Sequence, residues 1–171
     1  MSILSKVVGA PFICKVYLDF NGSLTALSGA EHQNFYNSLG NQYTWKPLHI
    51  GLKTVSFSDK EKTSRAGSSY EQQLKVSFAN TDSLRTDRIE KIKSTKFVRI
   101  ELSNGQSIVM GRNDYFQNKP LEVTYASDEV KTTITFKTVS IFPIGLLEIN
   151  DVSSFIDFLI PTEQPNNLIS I

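Results

Sequence analysis

Apolar side chains recur at every second position in at least five stretches of this chain, and that period rules out most architectures. Alternation of two turns one row of side chains into a core and the other toward solvent, as in a half-buried strand. Phe12, Cys14, Val16, Leu18 and Phe20 form one such row, with Lys15, Tyr17 and Asp19 opposite and Ile13 breaking the polar face. Asn21-Gly22 comes next, a dipeptide suited to the positive φ angles of a tight hairpin turn, so residues 23–27 are expected to return as a strand. Leu52, Val55 and Phe57 mark a strand over 50–57, and Leu74, Val76 and Phe78 another over 70–78. Val98, Ile100 and Leu102 alternate with Arg99 and Glu101, and Asn104-Gly105 turns that strand back through Ile108 and Met110. Beyond a polar loop over 112–120, Leu121, Val123 and Tyr125 pair in pattern with the long run Val130, Thr132, Ile134, Phe136 and Thr138.

Helical spacing is rarer. Asn80, Thr81 and Asp82 supply capping side chains, and Leu84, Arg88, Ile89 and Ile92 share one side of a helix from Asp82 to Ser94. Residues 30–39 read equally as a short helix or an ordered loop, and 152–160 equally as helix or strand. Residues 58–69 contain no large apolar side chain, so they are either a long exposed loop or the tip of an extended hairpin. In either form the segment is expected to order only against a partner. The C-terminal stretch 161–171 is a polar arm ending in Leu168, Ile169 and Ile171. With 171 residues and no convincing linker, the expectation is one domain, mainly β with some α. Its form is an antiparallel β-sandwich or rolled sheet with one flanking helix.

Composition narrows the function classes. Eighteen basic against seventeen acidic residues leave no general polyelectrolyte character. No window approaches the ~18 apolar residues of a membrane-spanning helix, and neither end reads as a targeting signal. One cysteine excludes an internal disulfide and a Cys-based zinc cluster. Cys14, on the apolar face of its strand, reads as a small buried hydrophobe.

The chemistry-bearing residues are sparse. His32 beside Glu31, and His49, are too few and wrongly spaced for a metal centre, which takes three or four ligands, so both read as ordinary imidazoles. No phosphate-binding glycine loop or nucleophile elbow occurs. The carboxylates Asp59, Glu61, Asp128 and Glu129 sit where turns want them. No catalytic residue, metal or cofactor is therefore expected. Two binding alternatives remain. Arg85, Arg88, Lys91, Lys93, Lys96 and Arg99 offer a basic edge for nucleic acid, set against the ordinary reading of a solvated helix face with Asp87 and Glu90 as partners. Tyr17, Tyr43 and Trp45 would line the mouth of a small-ligand-binding β-barrel.

The block from strand 70–78 through helix 82–94, the Asn104-Gly105 hairpin and the pair 121–125 and 130–140 resembles small structural proteins of tailed bacteriophages, of the tail-tube, tail-terminator and head–tail connector kinds. The resemblance covers half to two-thirds of the chain. It implies a sandwich or rolled sheet with one helix, a long extension and a terminal arm that reach neighbouring subunits, and no catalytic residues. The expected function is a non-enzymatic virion structural and assembly protein, a homo-oligomeric ring in a phage tail or neck, assembled in the host cytoplasm. Its expected partners are copies of itself and other virion proteins, with no membrane and no favoured nucleic acid contact. The expected assembly contacts are Lys60, Lys62 and Arg65 in the 58–69 segment and Phe155, Phe158, Leu168 and Ile169 near the C-terminus.

Overall fold

The computed structural model of the chain describes residues 11–24, 26–29, 35, 36, 39, 44–49, 54–80 and 83–147. Two antiparallel sheets pack face to face in a sandwich flanked by a helix. In chain order the strands are β1 Ile13–Asp19, β2 Lys46–Leu48, β3 Val55–Ser64, β4 Gly67–Ala79, β5 Phe97–Leu102, β6 Ser107–Met110, β7 Glu122–Ser127, β8 Lys131–Ser140 and β9 Leu146–Leu147. Helix α1, Arg85–Lys93, lies between β4 and β5 in the chain. The five-stranded sheet runs β2-β1-β5-β6-β9 and the four-stranded sheet β3-β4-β8-β7.

The main core lies between the sheets. Val16, Leu18, Val98, Ile100, Ile108 and Met110 face Leu74, Val76, Ile134 and Phe136, and Ile92 of α1 joins them. The opposite face of the five-stranded sheet carries a second cluster. Phe35, Tyr36 and Leu39, all helical, pack there on Phe97, Val109 and Leu147. β6 is therefore buried at all four residues, which is why Ser107–Met110 reads as a continuous rather than an alternating run.

Several local expectations change. β1 carries a bulge between Ile13 and Lys15, so the phase of its pairing shifts there. Phe12 turns outward, Cys14 is only half-buried, and Ile13 packs against the core in their place. Residues 23–27 do not return as a strand among the described residues, because both flanks of β1 are taken by β2 and β5. Asn21 instead donates its backbone N–H to Asp19 Oδ1 at 3.2 Å, and Leu24 and Leu27 join the second cluster. The helix starts at Arg85 with Leu84 at the cap position and no side-chain cap. Asn80 is spent elsewhere: its Nδ2 donates to the Asp128 carbonyl and its Oδ1 accepts from Thr132, tying β4 to the β7–β8 turn. Thr81 and Asp82 lie outside the described residues.

Residues 58–69 form strands and not a loop. They are the distal parts of β3 and β4, paired from Val55↔Val76 to Ser64↔Gly67 around a turn at Arg65-Ala66. Backbone pairing continuous with the sheet orders this stretch without large apolar side chains, and it does so within a single chain. The 112–120 loop is ordered by its own polar groups. Asp114 Oδ1 accepts from the Phe116 and Asn118 N–H groups, and Gln117 Nε2 donates to the Gly111 and Lys119 carbonyls. Of the regions left open by the sequence, 152–160 and the arm 161–171 lie outside the described residues, as does most of 30–39.

Gly111 starts that loop at φ +125°, and a Cβ there would lie 2.8 Å from both the Lys96 carbonyl oxygen and the Phe97 ring. Backbone and a core aromatic do not move aside cheaply. Gly111→Ala is expected to lower unfolding stability by about 2–4 kcal/mol in a urea titration. A loss under about 1 kcal/mol would show the approach is looser than described.

Candidate functional site

Three features of the described surface bear on function, a projecting strand ribbon, a nearly uncharged sheet edge and a basic groove, and a buried polar set lies beneath.

The ribbon follows from unequal strand lengths. β8 supports β4 only as far as the pair Tyr70↔Ser140, whereas β3 continues beside β4 to Ser64↔Gly67. Residues 62–69 therefore overhang the described sandwich as two strands with no third among the described residues, reaching ~13 Å beyond it at ~3.4 Å per residue. The row Asp59, Lys60, Glu61 and Lys62 lies along β3, the outer edge of the sheet. Of the expected contact residues, Lys60 and Arg65 are exposed, the latter at the turn. Lys62 is engaged: its Nζ donates to Glu71 Oε2, which also receives Lys137 Nζ at 3.2 Å. Glu71 thus clamps the base of the ribbon to β8. Phe155, Phe158, Leu168 and Ile169 lie outside the described residues.

At the opposite edge of the same sheet is β7, six residues with Glu122 as their single charged side chain. Tyr125 is half-exposed on it, and Val130 is exposed in the adjoining turn.

The groove lies where α1 covers the end of the sandwich. Its cavity is about 230 Å³. Leu18, Phe20, Leu48, Phe78 and Ile92 supply apolar walls, and Lys46, His49, Arg88 and Lys91 the basic groups, and none of the described lining residues is acidic. Lys91 Nζ stands 5.6 Å from the Phe20 ring centroid. A second opening of about 490 Å³ lies between the sheets at Pro11, Phe12, Val55 and Phe57, and none of its described lining residues is charged.

The segment 85–99 does not make one basic edge. Arg85 turns to the β7–β8 turn, donating to Thr132 Oγ1 at 2.9 Å and to Ser127 Oγ. Lys93 pairs with Glu90 at 3.2 Å and lies over the Tyr125 ring. Arg99 stands over Tyr17 on the outer face of the five-stranded sheet. Only Arg88 and Lys91 share a concave site. Nor do Tyr17 and Trp45 frame a barrel mouth, since the sheets form an open sandwich. Tyr17 OH bonds Glu101 at 3.2 Å, Trp45 packs on the second cluster, and Tyr43 lies outside the described residues.

Sequence reading missed the buried polar set. Arg112 is fully buried, its guanidinium 5.2 Å from the Phe35 ring centroid, with its N–H groups on the Asp114 and Tyr115 carbonyls at 3.3 Å. Burial pulls its pKa down, and Asp114 opposes that shift. Gln72 Nε2 donates to Tyr36 OH at 2.8 Å, and that hydroxyl donates to the Phe142 carbonyl at 3.0 Å. Burial raises the Tyr36 pKa, which keeps the phenol protonated and structural. The signal available was a polar residue at an apolar phase: Gln72 falls in step with Leu74 and Val76. Among the described residues, no three His, Cys, Asp or Glu side chains group as a metal site. No described helix is long and apolar enough to cross a membrane. No family model, curated protein or solved structure matches the chain.

The clamp makes the ribbon acid-sensitive. Hydrogen bonds from Lys62, then Lys137, hold the Glu71 carboxyl below its ordinary range. A carboxylate with a lowered folded pKa stabilises above the unfolded value, and that stabilisation disappears as pH falls through the folded one. Amide protection factors over 62–69 are expected to fall as pH drops below the ordinary glutamate value of about 4.3, while those of the β4–β8 core hold. In Glu71→Gln they are expected to be low already at pH 6. Equal acid sensitivity in that variant would remove Glu71 as the clamp.

Proposed function

We propose that this chain is a non-enzymatic structural subunit that assembles head-to-tail with copies of itself, a ring component of a phage tail or neck within the virion. The observation that carries this reading is the overhanging ribbon 62–69. A two-stranded ribbon without a third strand or a packed face is marginal, and its ordering costs conformational entropy. Among the described residues it buries almost nothing; against a neighbouring subunit it gains an interface.

The two edges of the four-stranded sheet support a directional contact. The charge row on β3 blocks edge-to-edge pairing, so the ribbon side engages a neighbour through side chains such as Lys60 and Arg65. The run 123–127 of β7 carries no charged side chain and is the edge better suited to strand addition, although α1 reaches it at Tyr125 and Ser127. Two unlike surfaces at opposite edges suit a heterologous contact, and such contacts close into rings when the rotation permits. The sandwich, helix and extension also agree with what the likeness to phage structural proteins implies. Membership of the virion rests on that likeness.

Replacing residues 62–69 by Asn-Gly leaves Glu61 opposite Tyr70 and closes β3–β4 with a favourable turn. The shortened protein is expected to keep the wild-type circular dichroism spectrum while its assembly midpoint, by sedimentation, moves at least about tenfold higher in concentration. Unchanged assembly would make the ribbon a spacer and withdraw the reading.

A further inference from the structure

The basic groove has a complementary segment in the same chain. Residues 148–171 carry four acidic side chains, Glu148, Asp151, Asp157 and Glu163, and no basic one. Within them, Phe155, Ile156, Phe158, Leu159 and Ile160 surround Asp157. The groove presents the converse: its described lining has apolar walls with Lys46, His49, Arg88 and Lys91, and none of those lining residues is acidic. We infer that this groove is the seat of segment 152–160, with its Phe and Leu side chains on the apolar walls and Asp157 among the basic groups.

Charge selects this segment over the other candidate. Residues 1–10 are also apolar, but their one charged side chain is Lys6, which the groove would repel. Reach permits the seat to be filled within one chain. Leu147 lies in β9, four strand spacings from β2, or ~19 Å. The ten residues from 148 to 157 extend up to ~33 Å. A neighbouring copy supplies the same segment equally well, so the inference does not rest on the assembly reading.

Pro47 is exposed on β2 at the groove rim, so a photo-crosslinking p-benzoylphenylalanine at that position should keep the fold of the full-length protein. Irradiation is expected to join position 47 to a peptide within 152–160, at monomer mass for a seat filled in the same chain and at dimer mass for one filled by a neighbour. The paired change Arg88→Glu and Lys91→Glu is expected to cut that yield about tenfold. Adding Asp157→Lys to the reversed groove is expected to restore it, which a folding defect would not allow. Crosslinks that map to 1–10, a bound anionic lipid seen by native mass spectrometry, or a yield indifferent to the reversal would each overturn the assignment.

Discussion

Strand β4 is paired on both sides over most of its length, and the rest of the molecule depends on that double pairing. From Tyr70 to Ala79 it lies against β8, and from Gly67 to Val76 against β3. Its inward row delivers Leu74 and Val76 to the main core and Phe78 to the groove wall. Its buried Gln72 reaches past the core to Tyr36, so the same strand holds the layer outside the five-stranded sheet. The ribbon is the same strand prolonged beyond β8, clamped where Glu71 meets Lys62 and Lys137. Core, groove and projection are three stretches of one register. A slip of one residue would turn every one of these side chains to the wrong face.

The second constraint is polar. Burying a guanidinium or an amide costs several kcal/mol unless its donors are used. Arg112 uses its own on loop carbonyls and lies against Phe35; Gln72 uses its own on Tyr36 and the Phe142 carbonyl. The Gln72 bonds and the Arg112–Phe35 contact link segments far apart in the chain, so they give the second cluster directionality that apolar packing alone lacks. Their readable role is to hold the outer layer in place, which leaves the recognition surfaces at the ribbon, the β7 edge and the groove.

Period two was enough to find most strands and the Asn104-Gly105 hairpin, because each of those strands has one face in a core and one outside. It lost its signal where that contrast between the two faces was missing or shifted in phase. β6 is buried on both faces, and the β1 bulge shifts phase at Cys14, which no local pattern announces. Asn21-Gly22 carried a hairpin signal that tertiary pairing overrode, because β2 and β5 occupy both flanks of β1. Residues 58–69 carried no apolar signal, since their pairing is backbone pairing, and their turn at Arg65-Ala66 lacks the usual dipeptide. The basic run 85–99 is dense in sequence and dispersed in space, because helix and strand aim its members at different partners. The groove joins β1, β2, β4 and α1, contacts of long sequence separation that spacing along the chain does not reveal.

The central claim is that an overhanging ribbon on one edge and an uncharged strand on the other make this chain a repeating unit. Native mass spectrometry of the full-length protein over rising concentration tests it most directly. The account predicts a closed homo-oligomer of one defined copy number, with dimers and trimers as minor species on the way to it. A protein that stays monomeric at every concentration, or one that forms only a two-fold dimer, would contradict it.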